Sequence, residues 1–390
     1  MFLDRKLGLA EAYLDNAWNA SPGPKDLLTL LIRARKAYLD NAWNANPGPK
    51  DLLTLLIRAR RESPKSEKTK QVSFFGSVLS FFADLIRKSV ALFNYLQHKW
   101  RQNTIHMSQK NIKDHYDLGN ELFKLFLDDT MTYSCGVFKE LPLKVEKSDR
   151  KLLEDAQKLK YDLLFERLEL EESDHVLEIG CGWMQAAIQA VQKYNCKWTG
   201  LTISEEQFAF AKQRVKDAGL EANIEIKFLD YRKETGVYDK ILSIEMIEAV
   251  GHEFLPVYFG QISKNLKPGG IAAIQAILCL DQNYEQYRNS SDFIKKHIFP
   301  GGHMPSLKAI SEALPPELSM KPDARKIGRH YAPTLDLWNC AWMENKKQIH
   351  KLGYSEFFHR KWEFYFVLCS ALFEYGNIDT AQISFVKSSA

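Results

Sequence analysis

The chain has 390 residues, 45% of them hydrophobic and 26% charged, with a formal net charge of +4. That suffices to bury a full core and leaves room for two domains, while the charge is too mild to argue for a nucleic-acid partner. The six cysteines (135, 181, 196, 279, 340 and 369) form no C-x-x-C pair and no zinc spacing, so no metal site is expected and a reduced, cytoplasmic compartment is the simplest reading. Met1 to Lys6 carries charge where a secretory signal would carry an apolar core.

Residues 1–104 read as a helical amino-terminal region. Ala12 to Arg35 and Ala37 to Arg60 are the same sequence apart from Ser21 against Asn46, and two copies are too few for a solenoid. Each copy reads as an aromatic helix, a Pro-Gly-Pro break and a Leu-rich helix. Arg58 to Lys70 is a polar, basic linker. Val72 to Trp100 then alternates Phe74, Phe75, Val78, Leu79, Phe81 and Phe82 with Asp84, Arg87 and Lys88, and its uncharged run is too short to span a bilayer. Flanking lysines and arginines suit an anionic membrane surface, although a helix packed on the catalytic domain has the same amphipathicity.

Residues 105–390 read as an α/β domain with a Rossmann-like, doubly wound parallel sheet, a helical amino-terminal region before it and helical insertions over the site. The run Val176-Leu177-Glu178-Ile179-Gly180-Cys181-Gly182-Trp183 is an apolar strand opening into a glycine turn, where the backbone can approach a ligand without a Cβ, and Glu178 is a carboxylate available to the positive end of an adenosyl cofactor. Helix is predicted over 184–194 and 204–218, and strand over 197–203, 224–229, 239–244 and 271–277. Leu266-Lys267-Pro268-Gly269-Gly270 is expected to end a helix, and Ser204 with Gln207 fits a capping box. Gly180, Thr202, Asp230 and Glu245 to Glu248 fall at the carboxyl ends of strands, where such sheets bind ligands. An NAD-binding domain is the rival, but G-x-G is not completed as G-x-G-x-x-G, and the second strand ends in Thr-Ile-Ser rather than in a ribose-binding acid.

Asn111 to Asn120, Phe126 to Cys135, Val176 to Trp183, Thr202 to Gln207, Asp230-Tyr231-Arg232, Glu245-Met246-Ile247-Glu248-Ala249-Val250-Gly251-His252-Glu253, Phe299-Pro300-Gly301-Gly302 and Tyr331 to Leu335 together resemble the cyclopropane-fatty-acyl-phospholipid synthases, a group that includes the mycolic acid cyclopropane synthases. The resemblance runs from about Gln109 to Lys387 and takes in one copy of the duplicated segment. It implies a class I methyltransferase fold and transfer of a methylene from S-adenosylmethionine to the cis double bond of unsaturated phospholipid acyl chains, at the surface of a membrane to which the protein binds peripherally. A homodimer is left open. An isolated double bond is a poor nucleophile, so it must be held in line with the sulfonium methyl in a dry site. Tyr and Trp faces can stabilise the resulting carbocation, and a base must then take a proton.

Carried over by position, the resemblance puts Tyr133, Ser134, Glu178, Gly180, Cys181, Gly182, Trp183, Thr202, Ser204, Gln207, Asp230 and Tyr231 around the cofactor, with Gln207 standing in for the missing ribose acid. It implies a bound bicarbonate as base, surrounded by the Cys135 backbone, Glu248, Gln275, the Ile277 backbone and Tyr331. Cys369 matches a cysteine of the family long named as catalytic; its apolar neighbourhood would raise the thiol pKa and make it a pocket residue. His115 and His252 read equally well as structural hydrogen-bonders, and His303 is assigned no role. Glu245 and Glu248 lie three apart at a strand end, and one of them could simply pair with a nearby base. The aromatic stretch Trp362 to Phe373 could be core or acyl tunnel.

Three features depart from the family pattern: the doubled amino-terminal segment, Glu374-Tyr375-Gly376 where arginines are usual, and Met184 where glycine normally follows Gly182-Trp183. The Met184 side chain either clashes with the cofactor or swings away. A related lipid C-methyltransferase, a small-molecule N-methyltransferase and a lipid-binding pseudoenzyme are the alternatives.

Overall fold

The structure, a computed structural model, describes residues 118–389. The duplicated segment, the linker, the apolar stretch 72–100, the boundary at 104/105 and His115 lie outside the described residues.

Among the described residues eight strands form one sheet: β1 (His175–Ile179), β2 (Lys197–Thr202), β3 (Ile224–Phe228), β4 (Tyr238–Ile244), β5 (Leu266–Cys279), β6 (Leu318–Met320), β7 (Arg325–Lys326) and β8 (Ile378–Lys387). Their order is β3-β2-β1-β4-β5-β8-β6, with β7 also paired to β8. The first five are parallel, and β8 runs antiparallel to β5, β6 and β7. The helices that frame the site are α1 (Arg150–Leu168), α2 (Gln185–Tyr194), α3 (Glu205–Asp217), α4 (Leu255–Asn265), α5 (Asp281–Arg288), α6 (Gly328–Glu344) and α7 (Glu356–Glu374).

Side chains of successive strand residues point to opposite faces, and the core divides accordingly. Val176, Leu242, Ile271 and Ala273 pack with α1, α2 and α3 on one face. Leu177, Ile179, Ile241, Ala272 and Ile274 pack with Tyr258, Phe259 and Ile262 of α4 on the other. Both faces are covered, which is why the strands read as near-continuous apolar runs. A third cluster joins α6 and α7 through Trp338, Trp342, Trp362 and Phe366, packed with Phe123 and Phe126.

The predicted helices and strands fall within a residue or two of their expected bounds, with one informative exception. Pro268-Gly269-Gly270 lies inside β5, which begins at Leu266 opposite Tyr238 and shifts register before Lys240. The segment is thus a bulge in a strand: Gly269 takes φ 75°, and a Cβ on Gly270 would stand 2.8 Å from the Asp239 carbonyl oxygen. The capping box is half made. Ser204 Oγ accepts the Gln207 N–H at 3.3 Å, but the Ser204 N–H donates to Thr202 Oγ1 at 3.1 Å instead of to the glutamine.

Candidate active site

A cavity of about 340 Å³ opens at the carboxyl ends of β1, β2 and β4. One end is walled by Gly180, Gly182, Trp183, Thr202, Gln207 and Asp230; the other by Tyr331, Leu335, Tyr365, Cys369, Leu372 and Phe373, with Phe299 to Met304 and Ile277 between. Tyr133, Ser134, Glu178, Cys181 and Tyr231 also line it, whereas Ser204, Cys135 and Gln275 do not.

At the first end, Gly180 holds φ 80°, and a Cβ there would meet Met246 Cγ at 2.7 Å. Gly182 holds φ 50°, and a Cβ on it would meet nothing within 4 Å among the described residues, so its backbone borders the cavity. Gln207 Oε1 accepts from Thr202 Oγ1 at 3.0 Å, and its Nε2 makes no hydrogen bond among the described residues, leaving a donor for a hydroxyl ligand. Trp198 Nε1 donates to Glu178 Oε2 at 2.9 Å; enclosure in the fold still lifts Glu178 to about 8. Asp230 is less available than its position suggests. Arg232 grips it with Nε at 2.8 Å and a terminal nitrogen at 2.6 Å, and the Arg232 N–H adds a third bond at 3.0 Å. Trp183 is held by its ring N–H, which donates to Asn120 Oδ1 at 2.7 Å.

Glu245 and Glu248 stand at the junction of the two ends, and both are partly exposed to the cavity they line. Glu245 has the left-handed φ of 48°, a strained conformation for a glutamate. Its Oε1 accepts the Cys135 N–H at 2.9 Å and Gln275 Nε2 at 2.8 Å, and its Oε2 accepts the Tyr331 hydroxyl at 2.6 Å. Glu248 Oε1 accepts the Ile277 N–H, while its Oε2 is buried without a hydrogen-bond partner among the described residues. Desolvation, then repulsion from Glu245, raises Glu248 to about 8; desolvation also raises Glu245, against the pull of its three donors. Lys160, fully buried on α1, donates to Ser134 Oγ at 2.7 Å and is lowered to about 8 by desolvation.

Residues 103–383 match the family model for mycolic acid cyclopropane synthetase. The chain belongs to that family. It is a methyltransferase dependent on S-adenosylmethionine. A tuberculostearic acid methyltransferase of Mycobacterium tuberculosis is 38% identical over 289 residues, 74% of this chain and 67% of that protein. The cyclopropane-fatty-acyl-phospholipid synthase of Escherichia coli K12 is 34% identical over 275 residues, 70% and 67% respectively. Among solved structures, mycolic acid cyclopropane synthase CmaA1, complexed with SAH and CTAB, superposes with TM-score 0.64 at 29% identity, covering 72% of this chain and 98% of that one.

The first end of the cavity fits S-adenosylmethionine: the Gly182 backbone is left uncovered, Gly180 makes the turn with Met246 packed where its Cβ would be, and the unbonded Gln207 amide suits a ribose hydroxyl. Met184 does not intrude. Its side chain is fully buried and points away into the core, where a Cβ on Gly200 would lie 2.6 Å from its Sδ. The backbone still takes φ 67°, so the glycine-type conformation is kept by a methionine. A bicarbonate fits poorly in the place expected for it. Of the donors assigned to it by the resemblance, those of Cys135, Gln275 and Tyr331 converge on the Glu245 carboxylate, and the Ile277 N–H is taken by Glu248.

Cys369 lines the cavity, and desolvation drives its thiol pKa up, in keeping with a wall residue; Cys135 is raised likewise and offers the site its backbone N–H. The aromatic stretch divides by helix face. Trp362 and Phe366 are core, whereas Tyr365, Cys369, Leu372 and Phe373, at helical spacing along the neighbouring stripe, face the cavity. His252 and His303 share one partner, the Tyr284 hydroxyl, at 2.8 Å each. The sequence reading missed Glu245 as the centre of the donor set, Lys160 and Asn120. A strand-end glutamate and a lysine on the apolar stripe of a helix were the available signals for the first two. Asn120 gave none beyond its place in a family motif.

Proposed function

We propose that the protein adds the methyl carbon of S-adenosylmethionine, as a methylene, to the cis double bond of unsaturated acyl chains of membrane phospholipids, leaving a cyclopropane ring. The observation that carries this reading is the single cavity: a polar, glycine-lined end suited to the cofactor runs into an aromatic, apolar end suited to an acyl chain, with two carboxylates at the junction.

The bound cofactor supplies an electrophilic methyl. The chain's own residues do the rest. Tyr331, Leu335, Tyr365, Leu372 and Phe373 would hold the alkene away from water and against the junction. The ring faces of Tyr133, Tyr331 and Tyr365 would stabilise the positive charge that moves onto the acyl chain. Tyr133 and Tyr365 are tied hydroxyl to hydroxyl at 3.1 Å, which fixes both rings. A junction carboxylate would then receive the proton. The CmaA1 complex supports the assignment, since SAH is the demethylated cofactor and CTAB is a long-chain surfactant.

A second reading is favoured by a specific observation. The tuberculostearic acid methyltransferase and a probable fatty acid methyltransferase of Pseudomonas putida, 34% identical, suggest methyl transfer to a fatty acyl chain without ring closure. The likeness to coclaurine N-methyltransferase, at 20% identity, concerns the fold alone. With Met184 turned into the core, the main reason for a pseudoenzyme is gone. Among the described residues no helix is long and apolar enough to cross a membrane; we infer peripheral binding at a cytoplasmic membrane face. The test is transfer of radiolabel from methyl-labelled S-adenosylmethionine into lipid extracts of vesicles. Unsaturated phosphatidylcholine or phosphatidylglycerol vesicles should take up label and fully saturated ones should not; equal labelling of both would refute acyl alkene chemistry.

A further inference from the structure

We propose that Glu245 is the resident base of this enzyme, a side-chain carboxylate standing in the place the family resemblance gives to bicarbonate. The inference rests on the proposed acyl methyl transfer and deepens it.

Three donors from three separate parts of the chain meet on Glu245: the Cys135 N–H, Gln275 Nε2 and the Tyr331 hydroxyl. The glutamine is itself fixed, its Oε1 accepting Gln382 Nε2 at 3.1 Å. A planar carboxylate with both oxygens satisfied in this way has the shape and charge of a bound bicarbonate, already attached to the protein. The fold also accepts a left-handed backbone at Glu245 to place it, the kind of strain that persists where surroundings over-determine a functional position. A free anion added here would have to displace these donors and lie beside both Glu245 and Glu248. Glu248, with one oxygen unpartnered among the described residues and its proton held to about pH 8, is the neutral member of the pair, and buried Lys160 supplies the countercharge.

In the step assigned to Glu245, the S–CH3 bond breaks, a C–CH3 bond forms and the cationic charge passes to the adjacent acyl carbon. One C–H bond of the transferred methyl then breaks. Its electron pair closes the ring, its proton goes to a Glu245 oxygen, and the product is neutral. The Tyr331 hydroxyl bonded to that carboxylate is the first relay for returning the proton to water.

The test compares the full-length protein with Glu245→Gly and Glu245→Gln in carbon-dioxide-depleted buffer, with and without added bicarbonate, on unsaturated phospholipid vesicles. The parent should turn over equally in both buffers. Glu245→Gly should lose roughly 100-fold or more and regain part of this with bicarbonate, while Glu245→Gln, whose amide still fills the site, should not be rescued. Both variants should keep their S-adenosylmethionine affinity within about threefold, which reports an intact fold. A parent that stops in depleted buffer overturns the inference. A binding arm is independent of turnover: carbon-13 bicarbonate should show protein-dependent line broadening with Glu245→Gly and none with the parent. Broadening with both, or with neither, overturns the inference. If no form labels lipid in either buffer, the functional reading fails and the binding arm alone decides the place of Glu245.

Discussion

Replacing Met184 separates a blocked cofactor site from an open one. The side chain is fully buried against Gly200, so Met184→Ala should lower stability by about 2–5 kcal/mol, the range for truncating a core methionine. Met184→Gly removes the same packing but relieves a φ of 67°, which costs a non-glycine residue roughly 1–2 kcal/mol, part of it offset by about 0.5–1 kcal/mol of chain entropy. The glycine variant should therefore sit about 0.5–5 kcal/mol below the parent and no lower than the alanine variant. Neither change alters the cavity wall, so S-adenosylmethionine affinity should stay within about threefold. Urea unfolding with calorimetric titration of the cofactor measures both. A glycine variant that binds the cofactor tenfold more tightly would refute the reasoning, because about 1.4 kcal/mol of obstruction would then have been removed from a site the side chain is said to avoid.

Gly200→Ala should be destabilised by about 1–3 kcal/mol through overpacking, since the new Cβ would meet Met184 Sδ at 2.6 Å and Cys181 Cβ at 2.9 Å; thermal unfolding checks this. Tyr331→Phe removes a 2.6 Å donor from Glu245 and should cut turnover roughly 10- to 100-fold with little change in cofactor affinity, read from kcat against the cofactor dissociation constant. The folded chain holds protons on Glu248 and Glu178, each raised to about 8, that the unfolded chain releases in the ordinary glutamate range. Stability without ligand should thus be full below that range and fall as pH rises towards about 8. Lys160, lowered to about 8, contributes an opposing slope only above that point. Glu248→Gln should flatten the fall, as a series of melting temperatures between about pH 5 and pH 8 would record.

Much of the fold was legible because the physics is local. The apolar runs of β1, β2 and β4, the Ser204 cap and the Gly180 turn each carry their cause in a few adjacent residues. The helix does end where Leu266 to Gly270 predicts, but the strand already begins at Leu266, because Pro268-Gly269-Gly270 forms a bulge defined by its partner segment Tyr238 to Lys240, and partners are not visible along the chain. The site divides in the same way. Gly180, Gly182 and Thr202 could be placed from the strand-turn-helix pattern. The engagement of Asp230 by Arg232, two residues on, depends on how the arginine side chain folds back, and the convergence of Cys135, Gln275 and Tyr331 on Glu245 joins residues 30 to 110 positions away from it in the chain. Met184 could be flagged but not resolved, since whether it clashes depends on the space left above Gly200.

The most direct measurement is to supply the protein with S-adenosylmethionine carrying a trideuterated methyl, incubate it with vesicles of a monounsaturated phospholipid, and analyse the acyl chains by mass spectrometry, with proton NMR on the unlabelled product. Cyclopropane formation predicts two retained deuterons and upfield ring protons, because one deuteron leaves with the base. A methyl-bearing chain that retains all three deuterons and shows no ring protons would contradict the account and make the protein a lipid C-methyltransferase.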